Sequence, residues 1–329
     1  MTHKKIAELA HVSTSTVSKA LSGSAEVSKD LAEKICRIAM EVGYFEEKNK
    51  RSKTYRKNTS LNIAVIMPEI ISVSYSSSVS QIKEVVEKKG GVVSVYVFDF
   101  DLKKLDSIIE MIMVKGFADG IISFHSPGIM TKPSIPVLCM GKTKNIYYNT
   151  ITGNAEKYFE DIIHYLMDMG HTKIGYAGEP KTWMKQKAYT DIIENAGLKE
   201  YVYVSEKRFG DAGKDTAMMY LESDDRPTAV ICAYDEIAIA FMDELAIKGV
   251  KIPDDVSVIG INNVPACGYC TPKLTTVSTD KDNVYETSVN KFMDKIITGS
   301  SEVFHVKVLH EIIKRDSVKN IKQYGDGKK

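Results

Sequence analysis

From residue 61 onward, apolar runs of strand length alternate with stretches of helical period. That alternation restricts most of the chain to α/β architectures. LNIAVIMP reads as a buried strand, 79–89 as a helix and VVSVYVFDF as the next strand. Residues 102–115 read as a helix, followed by the strands DGIISF and IPVLCMG. The theme then repeats. Helices at 155–169, 185–196, 211–221 and 236–248 are separated by the strands TKIGYAG, YVYVSE, TAVICAY and VSVIGINN. Short apolar strands between amphipathic helices are the pattern of parallel sheets covered on both faces. Two such runs, joined near residues 149–153, predict two doubly wound subdomains. Ligands in such folds bind beyond the carboxyl ends of the strands, which predicts a small-molecule site in the cleft between the two.

Residues 4–45, KKIAELAHVSTSTVSKALSGSAEVSKDLAEKICRIAMEVGYF, follow a different rule. Helical spacing with no strand signal predicts three short helices. Ile6 and Leu9-Ala10 mark the first. Ser13 is placed to cap the second by accepting an orphan backbone N–H. That helix should run to about Leu21, with Val17, Ala20 and Leu21 inward and Thr14, Ser15, Ser18 and Lys19 outward. Ser28 should cap the third, which carries Leu31, Ile35, Ile38, Ala39 and Val42 and stops at Gly43. A short second helix with polar front residues suits the DNA major groove. On spacing alone, an ordinary small helical bundle fits equally well.

Charge sharpens the contrast. The net charge of +1 hides twelve Lys/Arg against seven Asp/Glu in residues 1–60, so the remainder is net acidic. A basic head on a mildly acidic body fits phosphate binding at one end. Between them, EEKNKRSKTYRKNTS (46–60) has almost no apolar residues. Its Lys48, Lys50, Arg51, Lys53, Arg56 and Lys57 predict a solvated linker or one that orders against phosphates. No stretch approaches a membrane span and no apolar signal core opens the chain, which predicts a cytoplasmic protein without a membrane partner. The five cysteines are odd in number and mostly in apolar contexts, as reduced thiols are. Cys267-x-x-Cys270 lacks a second ligand pair at zinc spacing. No phosphate-loop, zincin or nucleophile-elbow motif is present, and the seven histidines are scattered. The expectation is therefore a non-enzyme with no cofactor and no metal.

IAELAHVSTSTVSKALSG and VSKDLAEKICRIAMEVGY closely resemble the headpiece of the LacI/GalR family of bacterial transcription regulators. GHTKIGYAG, the segment from RPTAVICAYDEIA to VSVIGINNVP, PKLTTVSTD and VLHEIIKRDS resemble successive parts of that family's body. The resemblance runs essentially end to end. It implies an all-α helix-turn-helix headpiece (1–45), a hinge linker (46–60) and a periplasmic-binding-protein-like α/β body (61–329). It also implies that the chain crosses between subdomains, with 61–150 and 281–308 in the first, 151–280 and 309–329 in the second. The implied function is a repressor that binds a palindromic double-stranded DNA operator as a homodimer under control of a small-molecule effector.

By the resemblance, Thr14, Ser15 and Lys19 face base edges, while Ser13, Thr16 and Ser22 contact phosphates. Lys19 stands where the family commonly has Arg, and reaches guanine acceptors as a point charge rather than a fork. The hinge departs further: Arg51-Ser52 falls on the family's Arg-Ser, but Lys53 falls on the Leu that wedges into the minor groove. Lys50 replaces an Ala. A charged side chain cannot wedge into a base stack as an apolar one does, so minor-groove kinking should be weak, with Lys50, Arg51 and Lys53 holding phosphates instead.

The effector set departs too. Sugar-binding members use Arg, Asn and Asp where this chain has Lys185, Tyr234 and Asn262, with Asp235 kept beside them. Val73, Tyr75, His125 and Ser126 would come from the first subdomain. Replacing a carboxylate by an amide shifts the site toward positive charge, and Tyr234 adds an aromatic wall. Two readings stay open. The effector is a phosphorylated, carboxylated or aromatic molecule, such as a sugar derivative, or the site is degenerate and the regulator is constitutive or answers to a protein corepressor. A cytoplasmic ligand-binding protein whose head no longer reads DNA is the competing class.

Overall fold

The computed structural model describes residues 2–22, 24, 26–45, 60–279 and 283–322. Three helices open the chain: α1 (His3–Ala10), α2 (Thr14–Ser22) and α3 (Lys29–Glu41). α1 stops because His11 turns into the left-handed region at φ 57°, and its N–H closes on the Ala7 and Glu8 carbonyls. α2 starts because the Ser13 hydroxyl accepts the Thr16 N–H at 3.0 Å. The three helices bury Ile6, Val17, Ile35 and Ala39 completely, so each amphipathic stripe points at the other two. Tyr44 closes the end of the bundle by pairing its hydroxyl with His3 Nε2 at 2.8 Å. Ser28 occupies the cap position of α3 but makes no side-chain capping bond among the described residues, contrary to expectation.

The chain divides into two compact units: Met1–Thr152 with Asn283–Lys307, and Gly153–Asp282 with Val308–Lys329. The first unit holds β1 (Asn62–Met67), α4 (Val73–Lys88), β2 (Val92–Val97), α5 (Leu102–Lys115), β3 (Gly120–Ser123), β4 (Val137–Met140), β5 (Asn149–Thr152), α10 (Val284–Thr298) and β11 (His305–Lys307). Its six strands run β11-β5-β4-β3-β1-β2, all parallel. Ile63 to Met67 are buried without interruption, as a strand covered on both faces must be. α4 begins six residues before the expected start. The serines there do not break the helix, because Ser76 and Ser78 hydroxyls donate back to the Ser72 and Ser74 carbonyls.

The second unit holds α6 (Ala155–Asp168), β6 (Ile174–Gly178), α7 (Trp183–Asn195), β7 (Val202–Val204), α8 (Phe209–Glu222), β8 (Ala229–Cys232), α9 (Asp235–Ile247), β9 (Ser257–Ile261), β10 (Thr275–Ser278) and β12 (Glu311–Ile313). Its strand order is β12-β10-β9-β8-β6-β7. The ladder is parallel except at one edge, where β12 pairs antiparallel with β10, with Val277 opposite Ile312. β6, β8 and β9 are buried at every position. The two sheets make the body a pair of α/β units, in agreement with the expected fold class.

Candidate nucleic-acid interface and ligand site

The periodicity of α2 separates two faces. Val17 and Ala20 are buried against the bundle, while Ser13, Thr14, Ser15, Ser18, Lys19 and Ser22 are exposed. Thr16 is half-buried and its hydroxyl pairs with that of Ser13 at 2.8 Å. The outward face is therefore a row of hydroxyls with one ammonium, which is the chemistry of base-edge and phosphate contacts. Ser22 donates its hydroxyl to the Lys19 carbonyl, so it also finishes the helix. Lys50, Arg51 and Lys53 lie outside the described residues.

A residue missed in the sequence stands beside this face. Lys19 Nζ meets Glu26 Oε2 at 2.5 Å, seven residues on. The chain folds back at this point because the Ser24 N–H donates to the Lys19 carbonyl at 3.0 Å and the Glu26 N–H to Ser24 Oγ at 3.4 Å.

In the second unit, the parallel ladder lines up three strand ends. Glu179 follows β6, Tyr234 comes two residues after β8, and Asn262 follows β9. Lys185, on the first turn of α7, donates to the Ala233 carbonyl at 2.7 Å and stands 5.9 Å from the Tyr234 ring centroid. Burial pushes this ammonium down to about 8, against the upward pull of Asp235, Glu236 and Glu179. Among the described residues its remaining N–H groups have no acceptor. The Asn262 side chain is half-buried and makes no side-chain bond there, and its backbone takes φ 107°. The Tyr234 hydroxyl accepts the Phe209 N–H at 3.1 Å, and burial pushes it well above the usual phenol range.

Asp235, expected among the effector-binding residues, has both carboxylate oxygens engaged within its own unit. It is fully buried, its Oδ1 accepting from Thr276 Oγ1 at 2.5 Å and its Oδ2 from the Val264 N–H at 2.8 Å. Oδ2 holds the loop after β9 and Oδ1 holds β10 against the start of α9, so the residue acts as internal scaffolding. The sequence reading also missed Glu179 and Arg208. Glu179 is 1% exposed, with Oε2 accepting from Arg208 Nε at 2.8 Å and Oε1 from Nη2 at 3.2 Å. Only the alignment of β6 with the start of α8 brings together residues 29 positions apart, so neither carries a local signal.

The first unit contributes a separate aromatic edge. Val73 opens α4 and is exposed, and Tyr75 meets Phe124 edge-on at 5.5 Å. His125 follows at 6.2 Å from Phe98 and is exposed, while Ser126 donates to the Pro127 carbonyl at 3.4 Å. Val73, Tyr75 and His125 thus sit near the carboxyl ends of β1 and β3 with apolar and aromatic neighbours.

Comparison with known proteins agrees with both parts of the chain. Residues 2–46 match the lacI family of bacterial regulatory proteins, and residues 163–318 match the periplasmic binding protein-like domain. A probable HTH-type transcriptional repressor, ExuR of Bacillus subtilis (strain 168), is 26% identical over 338 residues, covering 98% of this chain and 99% of that protein. The HTH-type transcriptional repressor CytR of Escherichia coli (strain K12) is 24% identical, covering 90% and 89%. Among solved structures, the lac repressor dimer bound to operator and the anti-inducer ONPF superimposes with a TM-score of 0.68 at 20% identity, over 97% of this chain and 99% of that one.

Proposed function

Because the chain belongs to the lacI family of bacterial regulatory proteins and is a DNA-binding transcriptional repressor, we propose that it acts as a homodimer on a palindromic operator. Each copy lays α2 in the major groove of one half-site. One observation carries the reading: α2 presents Thr14, Ser15 and Lys19 outward from a helix whose opposite face, Val17 and Ala20, is locked in the bundle. A face held that rigidly positions base-reading atoms without first ordering them. A single small head grips only a half-site, so two-fold symmetry supplies the rest.

The repressor is controlled by a small molecule held at the carboxyl edge of the second unit's sheet. Lys185, with donors to spare, binds a carboxylate or phosphate on that molecule. Tyr234 supplies a flat wall and Asn262 an amide that meets hydroxyls from either side. Binding there changes DNA affinity through a coupling free energy between separate sites.

Selection of bound duplexes from a random library by the full chain, at near-physiological salt, tests the first part. Enrichment of a palindrome is the expected result, and sequence-independent recovery overturns it. The recovered operator then serves for titration with sugar acids, sugar phosphates and neutral sugars. Anionic compounds should shift operator affinity, and Lys185→Met should abolish the shift. A response confined to neutral sugars overturns the anionic reading.

A further inference from the structure

We propose that Glu26 is a base-reading residue, and that the Lys19–Glu26 pair reads a guanine–cytosine pair as one unit. The inference rests on the DNA-reading role of α2 and adds to it a residue outside that helix. An acid beside a surface meant for a polyanion is unfavourable at every phosphate, and at the acceptor edges of guanine and thymine. Yet Glu26 is held there by the bonds that fold Ser24 onto the end of α2, and its carboxylate lies 2.5 Å from the ammonium of Lys19. The two side chains are 45% and 68% exposed, so both are open to a ligand.

Donor beside acceptor is the pattern complementary to one edge of DNA. In the major groove, guanine offers N7 and O6 as acceptors, and cytosine offers its N4 amine as donor next to O6. Lys19 donates to the guanine, and Glu26 accepts from the cytosine of the same pair or of the adjoining step, about 3.4 Å along the strand. Lys19 by itself donates to any acceptor, phosphates included. Tied to Glu26, it is rewarded only where an amine relieves the carboxylate, and every other sequence leaves an unpaired anion in the groove. Specificity then comes from penalising wrong partners as much as from rewarding the right one.

The test repeats duplex selection with the full-length wild type, Glu26→Gln and Glu26→Asp. The wild-type half-site should contain a G·C pair at one position that Glu26→Gln relaxes on the order of tenfold, with the other positions unchanged. The same variant should bind a random-sequence duplex more tightly, with a log–log salt slope steeper by roughly 0.9 as Lys19 is freed for a phosphate. Glu26→Asp keeps the charge but shortens the reach. It should lose the discrimination without gaining random-duplex affinity. Both side chains are exposed, so thermal unfolding should match the wild type in each variant. An unchanged half-site in Glu26→Gln, or an even loss at all positions, overturns this role for Glu26 while leaving operator recognition standing. No enriched half-site with the wild type overturns both.

Discussion

Arg208→Met isolates the buried charge at the carboxyl end of β6. Glu179 is 1% exposed and takes two guanidinium bonds from Arg208, whose side chain is 30% exposed. Removing the cation leaves a carboxylate with water shut out on nearly every side. Breaking such a pair from one end costs about 3–5 kcal/mol, because the stranded charge keeps its desolvation penalty and loses its partner. The partial exposure of Arg208 places the cost near the lower end, about 3 kcal/mol, or roughly a hundredfold in the unfolding equilibrium. The double variant Glu179→Gln/Arg208→Met removes both charges and should recover all but about 1 kcal/mol. Urea unfolding followed by far-UV circular dichroism reads the loss. A single variant within about 1 kcal/mol of the wild type, or a double variant less stable than the single, refutes the argument that Arg208 compensates Glu179.

Two further outcomes come from the packing around Asp235 and one from the sequence of the hinge. A Cβ on Gly260 would lie 2.2 Å from Asp235 Oδ1, an atom already fixed by Thr276, whereas one on Gly268 meets nothing within 4 Å; Gly260→Ala should cost about 1–3 kcal/mol in urea melts and Gly268→Ala far less. Burial raises Asp235 from the ordinary carboxylate value to about 6, so the folded state takes up its proton before the unfolded state does as pH falls. Its contribution to stability is therefore present below about 4 and lost as pH rises through about 6, and Asp235→Asn should flatten that part of the stability–pH curve. Lys53→Leu should increase operator bending in a gel phasing assay, since an apolar side chain can wedge into a base step where an ammonium cannot; equal bending by wild type and variant would count against a phosphate-holding hinge.

The apolar pattern of the chain was enough to assign the fold class. Uninterrupted apolar runs such as Ile63 to Met67, set between helical stretches, fit a sheet covered on both faces, and the helical spacing of Leu31, Ile35, Ile38 and Ala39 marks an apolar stripe on one side of α3. It also determined the two faces of α2, because a nine-residue helix with Val17 and Ala20 inward leaves Thr14, Ser15 and Lys19 outward. Local chemistry was legible where one bond decided it, as at Ser13. It misled where two outcomes compete locally: the serines at the start of α4 fall before the expected helix yet bond back into it, and Ser28 sits at a cap without capping.

Long-range pairings were decided by tertiary structure alone. Asp235 reads as a neighbour of ligand-facing residues, yet the register of β9 and β10 closes Val264 and Thr276 over its carboxylate. Glu179 and Arg208 are unremarkable in the sequence and become a buried ion pair only when β6 and α8 end at the same place. Glu26 became a neighbour of Lys19 through a fold-back at Ser24 that no periodicity records. The physical reason is common to all three. Periodicity reports which side of an element meets apolar surroundings, whereas a polar contact depends on which element arrives opposite, and that is fixed only when the whole sheet assembles.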